Sequence, residues 1–248
     1  ALEPALAINT LQIAPAACTS IMGSNGAGKS TLFKVITGQI KPTSGHVIVD
    51  NQDCRSLSVA QRARLISTVA QDPRLGTFEQ LSIYENMAFA AARGEPSNLR
   101  SIFSRSQKTH FADRLRILEL GLEDRLNTPA GTLSGGQRQA LSLVMATLTT
   151  PKILLLDEPT AALDPTMATR VMEIVRTLTT TFGLTTVMIT HDLAHAAQYS
   201  DAVIVMHSGK IVQSLNDIQK ARLTVSDLAQ WIHENSRNRA HGPTRMAS

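Results

Sequence analysis

The sequence predicts an α/β fold into which a helical lobe is inserted, and three observations predict it. A short apolar stretch ending at Ile21-Met22 runs into a glycine-rich loop and then into helical spacing at Leu32, Phe33, Val35 and Ile36. That order is strand, loop and helix. From about residue 77 to residue 150 strand signals vanish and helical spacing takes over, as at Leu115, Leu118 and Leu122. From Ile153 onward, short apolar runs alternate again with helical ones, which is how parallel strands joined by helices read.

Each element has a local justification. Gly38 follows the first helix and suits a left-handed C-terminal cap. Val47–Asp50 is a short strand beside the turn-forming Ser44-Gly45. Ile153–Leu156 is wholly apolar, as a strand buried on both faces is. Asp164-Pro165 opens a helix with an N-cap and a proline at the first position. Val171, Ile174, Val175, Leu178 and Phe182 fall on one face of it, and Gly183 closes it. Thr186–Thr190 is the next strand, and Val203–Met206 pairs with Ile211-Val212 across His207-Ser208-Gly209-Lys210 as a hairpin. Gly94–Asn98 reads as a loop inside the lobe, and after Trp231 the chain turns polar and basic at Arg237, Arg239 and Arg245. These readings divide the chain into an α/β core (1–76 and 151–230), a helical subdomain (77–150) and a tail (231–248).

Composition narrows the class. In 248 residues, 43% hydrophobic and 18% charged is the balance of a globular protein with one core or a core and a lobe. No run of about 18 apolar residues is present to span a membrane. No basic segment followed by an apolar one marks a secretory signal. Cys18 and Cys54 give neither a disulfide framework nor a metal spacing, so a reducing cytosol is the simplest home. A net charge of +4 suits acidic membrane surfaces or nucleic acid and identifies neither.

The chemistry sits in three short stretches. The first is Gly23-Ser24-Asn25-Gly26-Ala27-Gly28-Lys29-Ser30, between a strand and a helix. Its glycines let backbone N–H groups converge on phosphate oxygens, and the helix N-terminus adds its positive end. Lys29 can reach the β- and γ-phosphates, and the Ser30 hydroxyl can hold Mg2+. The second is Leu154–Pro159, which puts Asp157 and Glu158 at the C-terminal end of a strand, where open α/β sheets bind ligands. Two adjacent acids repel unless a cation or a proton transfer uses them. Asp157 suits the Mg2+ shell, and Glu158 suits orienting and deprotonating an attacking water. The third is Leu133-Ser134-Gly135-Gly136-Gln137 ahead of a helix. Ser134 and Gln137 fit a capping box and need mean nothing more. Yet two glycines in a first helical turn weaken it, which makes sense if a ligand must approach the backbone there.

In this order, GSNGAGKST, LSGGQ and LLLDEP resemble the Walker A, signature and Walker B motifs of the ATP-binding-cassette family. The resemblance covers about residues 5 to 215 and implies a P-loop NTPase (RecA-like) core. An N-terminal antiparallel β region and an inserted α-helical lobe complete the implied fold. It implies an ATPase that uses ATP and Mg2+ in a head-to-tail dimer. Ser134, Gly135, Gly136 and Gln137 of one subunit would face the nucleotide held by the partner's Lys29. Gln71 in AQDP resembles the Q-loop glutamine, which senses Mg2+ and the γ-phosphate. Asp164 in AALD resembles the D-loop aspartate, and it is also the N-cap already described. His191 resembles the switch histidine near the γ-phosphate, and Thr31 a contact to the α-phosphate. HDLAH at 191–195 looks like a zinc-protease motif, but His191 ends a strand and Asp replaces Glu, so zinc is not expected. Residues 1 to 22 contain no Phe, Tyr or Trp to stack on adenine, so that aromatic is expected upstream of Ala1.

Without a membrane span, the resemblance implies a transporter subunit working with separate integral-membrane permease subunits at the cytoplasmic face of the membrane. A second copy of itself or a paralogous ATPase completes the motor, and an extracytoplasmic solute-binding protein acts indirectly. The stretch 77–90 would receive the permease's coupling helix. QDPRLGT, Glu85-Asn86, LEDRLNT and LSGGQRQALSLVMATLT resemble the group paired with branched-chain-amino-acid-like permeases, some assigned to tryptophan or tyrosine. That makes the expectation a bacterial importer of a small organic solute. The alternative is a soluble family member acting on ribosomes or DNA. Such members carry two cassettes or a long coiled coil, and this chain has neither. Arg100, Arg105, Lys108, Arg114 and Arg116 read as a solvated face, so no nucleic-acid partner is expected.

Overall fold

The structure is a computed structural model and describes residues 4–93, 105–215 and 226. The loop expected at Gly94–Asn98, Arg100 and the basic tail from Trp231 lie outside the described residues, as does the side chain of Arg105.

A six-stranded sheet carries the fold. Its strands are β1 (Cys18–Met22), β4 (Ile66–Val69), β5 (Ile153–Asp157), β6 (Thr185–Ile189), β7 (Ala202–His207) and β8 (Lys210–Leu215). They lie in the order β4-β5-β6-β1-β7-β8, all parallel except the β7–β8 pair. All five residues of β1 are buried, as a strand flanked by neighbours and covered on both faces must be. The parallel arrangement brings the C-terminal ends of β1, β4, β5 and β6 to one edge. Asp157 pairs with Ile189 there, and Val69 pairs with Leu156.

Alternation along the strands builds two cores. Leu154 and Leu156 point to one face and Leu155 to the other. On the Leu155 face lies α1 (Lys29–Thr37) with Leu32 and Phe33 against Ile21, Val187 and Ile204. On the other face lies α6 (Pro165–Phe182), which buries Val171, Ile174, Val175 and Leu178. Gly183 ends that helix at φ 58 and Gly38 ends α1 at φ 81, both as expected left-handed caps.

The middle of the chain is helical, with α3 (Ile83–Ala91), α4 (Arg105–Arg116) and α5 (Gly135–Thr147). Phe111, Leu115, Leu118 and Leu122 are fully buried or nearly so, and their cluster is continuous with Leu154, Leu156 and α6. The antiparallel region is a short hairpin, β2 (Ile48–Val49) with β3 (Gln52–Asp53), turned through Asp50 and Asn51 at positive φ. Residues 4–17 pass to β1 without joining a strand. The remaining helices are α2 (Val59–Arg62) and α7 (Leu193–Tyr199).

Candidate functional site

The glycine loop leaves the end of central strand β1 and opens α1 at Lys29. Gly28 is the N-cap at φ 98 with no side-chain cap, so no side chain consumes the first N–H groups of the helix. A Cβ on Gly23 would stand 2.3 Å from the Met206 carbonyl oxygen, so only glycine allows the loop to lie against β7. Ser24, Asn25, Gly26 and Ser30 are exposed, Thr31 is half-buried, and Ala27 and Lys29 are buried. The Lys29 ammonium donates to the carbonyl oxygens of Gly23 at 2.7 Å and Ser24 at 3.1 Å. Burial pushes it below the usual lysine range, while Glu158 and then Asp157 oppose that shift by attraction.

Both carboxylates therefore act on Lys29 from the end of β5. Burial, then the charge of Glu158, raises the Asp157 carboxyl above its ordinary range, with Lys29 and Lys34 opposing. Glu158 takes a left-handed conformation at φ 47, and its N–H donates to the Ile189 carbonyl at 2.9 Å. Its side chain meets His191, whose Nε2 lies 3.0 Å from Glu158 Oε1. A cavity of about 500 Å³ opens beside them, lined by Thr160, Leu163, Thr190 and His195 among others. His191 precedes α7 whereas His195 lies inside it, with its N–H on Asp192 Oδ1 at 2.9 Å. The two histidines of HDLAH are thus not two turns of one helix face.

Gln71 stands two residues past β4 at the same sheet edge, with its side chain exposed. The neighbouring Ala70 carbonyl accepts from Gln139 Nε2 at 3.3 Å.

The signature stretch forms the capping box. Ser134 Oγ accepts from Gln137 N at 3.2 Å, and Gln137 Oε1 accepts from Ser134 N at 3.2 Å. Ser134 and Gly135 are exposed, and Gln137 is half-buried. Gly136 is buried for a reason the sequence did not disclose: a Cβ there would meet Met167 Cγ at 2.6 Å and Cε at 2.5 Å. Its lack of a side chain is required by packing inside this chain, whatever approaches Gly135. Met167 belongs to the first turn of α6, whose N-cap is Asp164; the Oδ1 of Asp164 accepts from Thr166 N and Met167 N, each at 3.1 Å. The structure thus forms two groups. Lys29, Asp157, Glu158 and His191 converge at one sheet edge. Ser134–Gln137 and Asp164 gather around Met167 and Leu163, and no described hydrogen bond or ion pair joins them to the phosphate loop.

This geometry can be set beside known proteins. The family model described as ABC transporter matches residues 6–161. The chain belongs to the ABC transporter family. A tyrosine transport ATP-binding protein of Clostridioides difficile is 41% identical over 85% of this ABC ATPase and 84% of its own length. A methionine import ATP-binding protein of Corynebacterium jeikeium is 35% identical over 83% of the chain. An Fe(3+) ions import ATP-binding protein of Photobacterium profundum is 33% identical over 85% of it. The chain spans only about half the length of these last two, at 54% and 57%. Among solved structures, cbiO1 from Clostridium perfringens superposes with a TM-score of 0.74 at 28% identity, covering 93% of this chain and 88% of that one. The cassette MJ0796, a dimer in a post-hydrolysis state bound to ADP and Pi, gives 0.71 at 28% identity, covering 84% and 88%. This ABC ATPase is accordingly an ATP-binding, ATP-hydrolysing transport subunit with a P-loop NTPase core. Among its described residues no helix is long and apolar enough to cross a membrane.

Proposed function

We propose that this chain powers a bacterial importer of an amino acid or a similar small organic solute. It does so as a head-to-tail dimer bound to separate permease subunits at the cytoplasmic membrane face. The observation that carries the reading is the meeting of Lys29, Asp157, Glu158 and His191 at one sheet edge. The residues at that edge fit Mg2+: a half-buried carboxylate with a second beside it holds more negative charge than Lys29 alone offsets, and the Ser30 hydroxyl is exposed at the helix start. Ser30, Asp157 and Gln71 would hold the ion, which neutralises phosphate charge when bound. The loop from Gly23 to Gly28 presents N–H groups to the phosphates, and Thr31 lies next to the α-phosphate position. Lys29 exchanges its two carbonyl contacts for phosphate oxygens. Glu158 accepts the proton of the attacking water, and His191, already on Glu158, orients it.

Ser134–Gln137 and Asp164 are the complement for the partner's nucleotide, so each ATP touches both subunits only in the closed state. Residues 77–150 form the moving subdomain on a core of 1–76 and 151–230, and stretch 77–90 meets the permease. A solute-binding protein outside the membrane delivers the solute. The 41% identical tyrosine transport protein favours an aromatic amino acid.

Glu158→Gln protein, tagged and purified from its native membranes with MgATP, tests this reading. It should be trapped as a dimer without turnover and should bring a multi-span permease and a solute-binding protein with it. Hydrolysis at the wild-type rate would remove Glu158 from its role. A dimer that carries no permease would remove the transport arrangement.

A further inference from the structure

The signature helix α5 starts on two glycines, so its first turn has little intrinsic stability. Its capping box and its neighbours hold it. One neighbour is the loop Phe78–Ser82. Arg138, in the first turn of α5, is 8% exposed, and its guanidinium bonds Glu79 Oε1 at 2.6 Å. The Glu79 carbonyl accepts from Gly131 N at 2.8 Å, and the Leu81 carbonyl from Ala130 N at 2.9 Å. Ser82 bridges Pro129 as an isolated antiparallel pair. The loop is thus zipped to the segment that leads into Ser134. Its other side is closed by Asn86, which is fully buried. The Asn86 amide accepts from Phe78 N at 2.7 Å and donates to the carbonyls of Phe78 at 3.0 Å and Leu81 at 3.2 Å. Phe78 itself is 63% exposed at the outer surface, edge-on to Phe89.

We infer that Arg138 is a positioning residue for the signature turn, and that its ion pair with Glu79 makes loop 78–82 and Ser134–Gln137 one rigid block. A hydrogen-bonded, mostly buried guanidinium has one favoured arrangement, whereas an unpaired one there would have to move toward water. The inference rests on the composite-site reading above and adds the element that sets the signature's position.

The test uses the full chain carrying Glu158→Gln, with ATP-dependent dimerisation followed by sedimentation and monomer ATP affinity by fluorescence titration. Glu79→Gln, Arg138→Ala and the double variant are compared. Each single change should raise the protein concentration for half-dimerisation about tenfold and leave monomer ATP affinity within about twofold. The double variant should be no worse than Arg138→Ala, because partners in one interaction are not additive. Glu79 is on the surface, so Glu79→Gln keeps the test open if Arg138→Ala does not fold. Singles that dimerise like the parent, that lose ATP affinity in parallel, or whose penalties add in the double overturn the inference alone. A parent that stays monomeric at saturating MgATP overturns the composite site, and this inference with it.

Discussion

Gly135 and Gly136 are adjacent in the signature turn, yet alanine should act on them with opposite sign. A Cβ on Gly135 meets only Leu163 Cδ2 at 3.9 Å, an ordinary contact. Replacing a helical glycine by alanine under those conditions gains about 0.5–1 kcal/mol, less in a first turn. A Cβ on Gly136 would lie 2.6 Å from Met167 Cγ, well inside contact distance and not at the flexible end of the side chain. Overpacking of that kind costs about 1–3 kcal/mol, which outweighs the propensity gain and leaves a net loss of about 1–2 kcal/mol. In a domain of this size 1 kcal/mol moves Tm by about 2–4 °C. Gly135→Ala should therefore raise Tm by up to about 3 °C, and Gly136→Ala should lower it by about 2–8 °C. Thermal unfolding of the nucleotide-free monomer reads both. With Met167→Ala in the background, Gly136→Ala should turn stabilising. If Gly136→Ala raises Tm in the parent as Gly135→Ala does, the Met167 contact is not what reserves position 136 for glycine.

Asp157 and Asn86 make two further tests. The Asp157 carboxyl is raised by burial and Glu158, so the folded state holds its proton more tightly than the unfolded state does, and its ionisation costs stability at neutral pH. Asp157→Asn should raise the Tm of nucleotide-free protein at neutral pH and abolish Mg2+-dependent ATP turnover. The Tm gain should shrink as pH falls through the raised carboxyl range; a gain independent of pH would refute the electrostatic cause. Asn86→Ala should cost about 1–3 kcal/mol in urea unfolding, because it strands the Phe78 N–H and takes one of two donors from each of the Phe78 and Leu81 carbonyls. Asn86→Asp should not rescue it, since its buried carboxylate could accept from Phe78 N but would face the Phe78 and Leu81 carbonyls with no donor for them; an alanine variant within about 0.5 kcal/mol of the parent would show that water takes over these bonds.

Much of the site was legible because its signals are local. The caps at Ser134 and Asp164 and the glycine stops at Gly38 and Gly183 are set by hydrogen bonds and φ angles within a few residues. The phosphate loop is contiguous, and strand β5 announces itself as an unbroken apolar run. Element edges moved by a residue or two, as at Thr185–Ile189, because ladder pairing with β1 and β5 decides where a strand stops. Gln71 was singled out only by its resemblance to the Q-loop glutamine, and no pattern told at which sheet edge it stands or how its side chain is exposed.

By itself, then, the amino-acid order determined the α/β class, the helical insertion and the phosphate loop, all of which depend on periodicity and short-range chemistry. Only the tertiary structure decided that His191 meets Glu158, that Met167 occupies the space beside Gly136, and that Glu79 pairs with Arg138. Each of these joins residues 31 to 59 positions apart. Such contacts arise when strand order and helix packing bring distant segments together, and neither leaves a mark on the residues between them.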